Sequence, residues 1–209
     1  MKLALLALLI SSTAAADPTV DIGFRVGGYG FRRAGDTSAN SWNECRMNGV
    51  GVFASRALTG PLFAEVGLDA YFSSGVIDGS PTSDTPIDRT SGLVSAAIGA
   101  RTNLTSWLRG YVQLGAGVEL TRVGVPFDGD QMAHDNKAMP EGFLGVGVDL
   151  QIAKGLYVGA SMRMLAMGNF DYAQHMTDRV WGTEVPAQTF DASPDLAAQG
   201  QFYVRRDIW

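Results

Sequence analysis

From Val20 onward, apolar and polar side chains alternate with a period of two, the signature of strands whose two faces meet different surroundings. In the run 62–72, Leu62, Ala64, Val66, Leu68, Ala70 and Phe72 share one face, and Glu65, Gly67, Asp69 and Tyr71 share the other. Residues 108–120 repeat the pattern, setting Leu108, Val112, Leu114, Ala116, Val118 and Leu120 against Arg109, Tyr111, Gln113, Gly115, Gly117 and Glu119. Applied along the chain, the same test predicts eight strands: 20–31, 49–57, 62–72, 93–102, 108–122, 142–152, 156–165 and 196–205. Most have roughly the nine to eleven residues that a tilted strand needs to cross a bilayer.

The predicted connections alternate strictly between short and long. Joints 58–61, 103–107 and 153–155 are tight and carry Gly, Pro, Asn, Thr and Ser, residues suited to hairpin turns. Joints 32–48, 73–92, 123–141 and 166–195 run from 17 to 30 residues and are rich in Asp, Asn, Ser, Pro and Gly. All the tight turns therefore fall at one end and all the long loops at the other. An even strand number with short periplasmic turns and long extracellular loops predicts an all-β fold, an eight-stranded antiparallel up-and-down transmembrane β-barrel.

Alternation alone also suits a soluble barrel with an apolar interior and a wet outer wall. Side-chain type decides between them. A wall facing water calls for lysine, glutamate and threonine, yet lysine occurs only at Lys2, Lys137 and Lys154, none within a predicted strand. The polar face instead mixes Gly67, Gly99, Gly115, Gly117, Gly145, Gly147 and Gly159 with Arg, Asp, Glu and Tyr, which suits a cramped interior where one side chain makes room for another. Lipid outside and polar groups inside is the expectation. The inner charges balance: Asp21, Glu65, Asp69, Glu119 and Asp149 against Arg25, Arg101, Arg109, Arg163 and Arg205. Adjacent strands offer Glu65 to Arg101, Arg109 to Asp149, and Arg205 to Asp21. Since every base is arginine, whose planar fork takes a carboxylate through two hydrogen bonds, a structural network filling the lumen is predicted.

Composition settles the compartment. The first sixteen residues place Lys2 before an eight-residue apolar run, Leu3 to Ile10, and end in Ala14-Ala15-Ala16. They read as a cleaved secretory signal peptide, residues 1–16, leaving 17–209 as one barrel domain. The apolar run is far shorter than the roughly twenty residues of a membrane-crossing helix. Without Lys2 the chain has 15 basic against 21 acidic residues, which argues against nucleic acid as a partner. The single Cys45 cannot form an internal disulfide.

With strand count, turn asymmetry and inner charges in place, residues 17–209 resemble the small outer-membrane barrels of the OmpA, OmpX and OmpW type. The aromatic-ended last strand, with Phe202, Tyr203, Val204, Ile208 and Trp209, is similar to the segment that assembly machinery reads in that class, although Arg205, Arg206 and Asp207 interrupt its alternation. The resemblance implies outer-membrane localisation, with membrane lipid, lipopolysaccharide and the barrel-assembly machinery as partners. It leaves function open, because such barrels include anchoring, adhesive and small-solute roles.

Little catalytic chemistry accompanies this architecture. His134 and His175 fall in predicted loops, neither at strand spacing beside a serine and an acid as a nucleophile and its base require. Asp128, Asp130 and Asp135 supply oxygen ligands for Ca²⁺ but fewer than a full calcium loop carries, so a solvated acidic loop is expected. Gly145-Val-Gly147 lies within a strand and opens no helix, so it lacks the context of a nucleotide fingerprint. The expectation is a non-enzymatic barrel without cofactor, metal or catalytic residues, with a side-chain-filled lumen and a structural or surface-interaction role. A narrow pore or small-solute transporter is the alternative, and a surface lipid-modifying enzyme the third.

Overall fold

A computed structural model of the chain describes residues 20–32, 46–77, 86–127, 131–168 and 195–208. They form eight strands: β1 (Val20–Arg32), β2 (Arg46–Ala57), β3 (Leu62–Ile77), β4 (Pro86–Asn103), β5 (Leu108–Phe127), β6 (Gln131–Ala153), β7 (Leu156–Met167) and β8 (Asp195–Asp207). Each strand pairs antiparallel with its sequence neighbours, and β8 closes on β1. The barrel therefore has no open edge, the one arrangement in which strands can satisfy every backbone group within lipid.

The stagger of the strands follows from the pairing. From Gly28, one path passes through Asn48, Phe72, Thr90 and Arg122 to reach β6 at Asn136. The other passes through Gly200 and Met162 and reaches β6 at Val146. The two arrivals lie ten residues apart, and a stagger of that size tilts the strands by about 40° from the barrel axis.

The three tight joints are hairpin turns, as their residues predict. At the first, Leu58 N donates to Leu62 O at 2.9 Å and Leu62 N to Thr59 O at 3.0 Å, with Gly60 at φ 55°. At the second, Thr105 Oγ1 accepts from Leu108 N at 3.1 Å. At the third, Gly155 takes φ 69°, a conformation that glycine adopts without steric cost.

The predicted boundaries hold at the turn ends and fail at the loop ends. β6 begins at Gln131, eleven residues before the predicted Gly142, and β5 continues to Phe127, so most of the predicted loop 123–141 is paired hairpin. The predicted loop 73–92 likewise contributes Ser73 to Ile77 to β3 and Pro86 to Gly92 to β4. Pro86, Pro126, Pro140 and Asp135 carry turn and loop chemistry, so these segments read as loop although their backbones pair. His134 and Asp135 accordingly sit on β6 rather than in a loop. The proposed signal peptide, Cys45, His175, Asp128, Asp130 and Trp209 lie outside the described residues.

Burial assigns the two faces. The outer wall exposes Leu114 and Leu144 at 60%, Ile98 at 63% and Phe202 at 69%, a continuous apolar belt that only lipid can cover without cost. Inward positions are buried, and their packing obeys a simple rule. Phe53, Phe63, Tyr71, Tyr111, Phe143 and Tyr203 each face a register partner that is glycine: Gly23, Gly99, Gly49, Gly147, Gly115 and Gly159. A Cβ at any of the six would run into the ring it faces. Glycine thus makes room for aromatic filling in a lumen as narrow as eight strands enclose.

The orientation is testable by labelling. With Cys45 replaced by serine, a cysteine at Thr59 should stay unreactive toward a membrane-impermeant maleimide on intact cells, while one placed within 169–194 reacts. The reverse pattern would mean that the tight turns face outward.

Candidate functional site in the barrel lumen

Eight of the ten predicted inner charges meet in two four-membered clusters stacked along the barrel axis. In the upper cluster Arg25 donates from Nε to Asp69 Oδ1 at 2.6 Å and from Nη2 to Oδ2 at 2.5 Å, a two-point fork on one carboxylate. Its Nη1 reaches Glu65 Oε1 at 3.1 Å, and Arg163 Nη2 crosses from β7 to the same oxygen at 2.8 Å. Gln113, with its amide turned so that Oε1 faces Arg163, accepts from Nε at 2.8 Å and Nη2 at 3.1 Å.

In the lower cluster Arg205 forks onto Asp149, with Nη2 to Oδ2 at 2.7 Å and Nε to Oδ1 at 3.2 Å, and its Nη1 donates to Asp21. Arg101 adds a second cation, 3.3 Å from Asp21 and 3.7 Å from Asp149. Ser55 Oγ and Tyr203 OH donate to Asp21 and Asp149 at 3.0 and 2.7 Å. Each cluster sets two arginines against two carboxylates, so these four charges cancel, and charge-assisted bonds offset the desolvation that burying them costs.

Of the three pairs expected from adjacent strands, Arg205 with Asp21 forms. Glu65 does not pair with Arg101. The partner of Glu65 on β4 is Ala97, four residues from Arg101 and so about 13 Å away along the strand, and the Arg101 guanidinium lies over Phe63 at 4.6 Å. Arg109 faces Asp149 in register but stacks on Tyr157 at 4.5 Å, while Asp149 is taken by Arg205, Arg101 and Tyr203. Glu119 lies apart from both clusters, buried at 1% exposure on the stretch of β5 where Leu93 and Met139 are its register partners.

Aromatic rings separate the clusters: Phe53 meets Tyr203 edge to face at 5.7 Å, and Phe63 meets Tyr111 at 5.8 Å. Between them remains a cavity of about 10 Å³ bordered by Arg25, Glu65, Arg101, Tyr111 and Asp149, room for about one water molecule.

Above the two clusters the lumen becomes more apolar. Met47, Tyr71, Leu93, Met139, Phe143, Leu165, Met167 and Ala197 form one buried cluster, each at most 4% exposed, and the acids Glu119 and Glu141 are buried there too, at 1% and 5%. Sequence reasoning missed this cap by treating the inward face as polar throughout. The signal was present, because Leu93, Phe143, Leu165 and Ala197 keep the inward phase of their strands. Arg163 ties the two zones together, its guanidinium 4.6 Å over the ring of Phe143. Among the described residues no group of three or more His, Cys, Asp or Glu side chains is placed to hold a metal ion.

Comparison with known proteins agrees with this geometry. A family model described as "Outer membrane protein beta-barrel domain" matches residues 2–201. Among solved structures, Neisserial surface protein A (NspA) is 14% identical with a TM-score of 0.52, covering 94% of this chain and all of that one. A major outer membrane protein from Thermus thermophilus is 10% identical with a TM-score of 0.52, covering 91% of this chain and 99% of that one. At such identities the likeness is one of fold. No curated protein sequence matches.

Proposed function

The chain belongs to the outer membrane protein β-barrel domain family, and on that premise we propose that it is a closed, non-enzymatic barrel whose lumen is structural and whose activity lies in its extracellular segments. The observation that carries this reading is the double filling of the lumen. A water-filled passage would have to thread an apolar cap and then two ion-paired clusters, between which there is space for about one water. The paired arginines occupy the cross-section that a solute would need. In this reading residues 1–16 direct export and are removed, lipopolysaccharide and membrane lipid surround the wall, and the assembly machinery inserts the barrel.

Liposome swelling separates this reading from a small-solute transporter. Vesicles carrying the refolded protein are expected to swell in arabinose or glycine no faster than protein-free vesicles. Swelling that scales with the amount of protein would replace the closed barrel by a transporter. A lipid A mass profile unchanged between deletion and overexpression strains is expected, and a shift by an acyl chain would restore the lipid-modifying enzyme.

A further inference from the structure

The outer wall carries few charges, and their signs and places are uneven. Among the residues whose side chains are described, every acidic side chain on a strand points into the lumen, whereas Arg56, Arg122 and Arg206 point outward. Two of the three lie at the periplasmic rim on the same side. Arg206 is exposed on β8 between its register partners Ile22 and Leu156. Arg56, half-buried on β2, is the partner of Val20, one strand further around. Lys154, exposed in the turn before Leu156, extends the group on the other flank. The opposite side of the rim is neutral. Its turn, 103–107, contains no charged residue and exposes Leu104 at 58% and Trp107 at 53%.

We propose that the periplasmic rim across β7, β8, β1 and β2 is a binding surface for an anionic phospholipid of the inner leaflet, with Arg206 and Lys154 holding its headgroup. Leu156, Ile22 and Val204 surround Arg206 with apolar wall. The acyl chains therefore lie on that wall while the guanidinium reaches toward the phosphate plane, as long basic side chains do at membrane edges. A phosphate accepts two parallel hydrogen bonds from an arginine fork, and the described outward side chains of the strands include no carboxylate to compete for it. The neutral rim, with Leu104 and Trp107 at its tip, favours no such charge. The protein thus distinguishes lipids on one side only.

The test uses the full barrel in vesicles, with Cys45 replaced by serine and a fluorophore on a cysteine at Leu156 or, on the neutral side, at Leu108. Each is quenched by phosphatidylglycerol or phosphatidylcholine carrying the same nitroxide near the headgroup. Phosphatidylglycerol should be enriched at position 156 by about fivefold for each cation that reaches the headgroup, and not at 108. Lys154→Gln with Arg206→Gln should abolish the enrichment at 156, and Arg206→Lys should retain most of it. The 108 probe in the same variants reports that the barrel is intact. Equal enrichment at the two positions, or enrichment at 156 that survives the double substitution, would overturn the proposal.

Discussion

Replacing Arg205 by alanine is expected to lower the unfolding free energy of the refolded protein by about 3–5 kcal/mol, the largest single loss among the lumen arginines. Arg205 is 2% exposed and bridges Asp21 and Asp149, themselves 3% and 0% exposed. Its loss strands two buried carboxylates with only Arg101 to share between them. Arg205→Lys should recover part of the stability, because a single ammonium restores the charge but not the fork on Asp149. Arg109→Ala is the internal comparison. That side chain stacks on Tyr157 outside both clusters, and its removal should cost only about 0.5–1 kcal/mol. Urea titrations in lipid vesicles give both values. A loss at Arg205 no larger than at Arg109 would mean that the lower cluster is hydrated and contributes little. Asp149→Ala combined with Arg205→Ala should cost less than the two single changes added together, since the pair is removed as a unit.

The second large effect belongs to the cap. Phe143→Ala should cost about 3–5 kcal/mol, the range for emptying a well-packed aromatic site. The ring is 3% exposed, lies under the Arg163 guanidinium and fills the space that Gly115 leaves on β5. Neither neighbour can collapse into the gap, because Gly115 has no side chain and Arg163 is held by Glu65. Phe143→Leu should restore more than half of the loss. A change below about 1 kcal/mol for Phe143→Ala would show that the upper lumen is loosely filled.

The wall was legible in the sequence because lipid on one side and a crowded lumen on the other impose opposite demands on successive residues. That demand is strong along 62–72 and 108–120, where strand and phase were both read correctly. It is overridden where turn-forming residues interrupt a strand, which is why Gln131 to Glu141, with Asp135 and Pro140, read as loop despite pairing with β5. The inner charges were legible as inward-facing positions, but of their partners only Asp21 for Arg205 was. Partner choice depends on a ten-residue stagger and on reach across the lumen. Glu65 on β3 takes Arg25 from β1 and Arg163 from β7, neither of them a neighbouring strand. No pattern along the chain encodes those distances. The apolar cap lay between these extremes: its inward phase was readable, but the expectation of a uniformly polar lumen concealed it.

Ion pairs and the methionine-rich cap close the barrel, and single-channel recording in a planar bilayer reads that closure as current. The wild-type protein is expected to give a flat current at the protein-free baseline, at either polarity and at low and high salt. A reproducible, ion-selective conductance, altered by Arg25→Ala or Arg163→Ala, would contradict the closed lumen and make the barrel a pore.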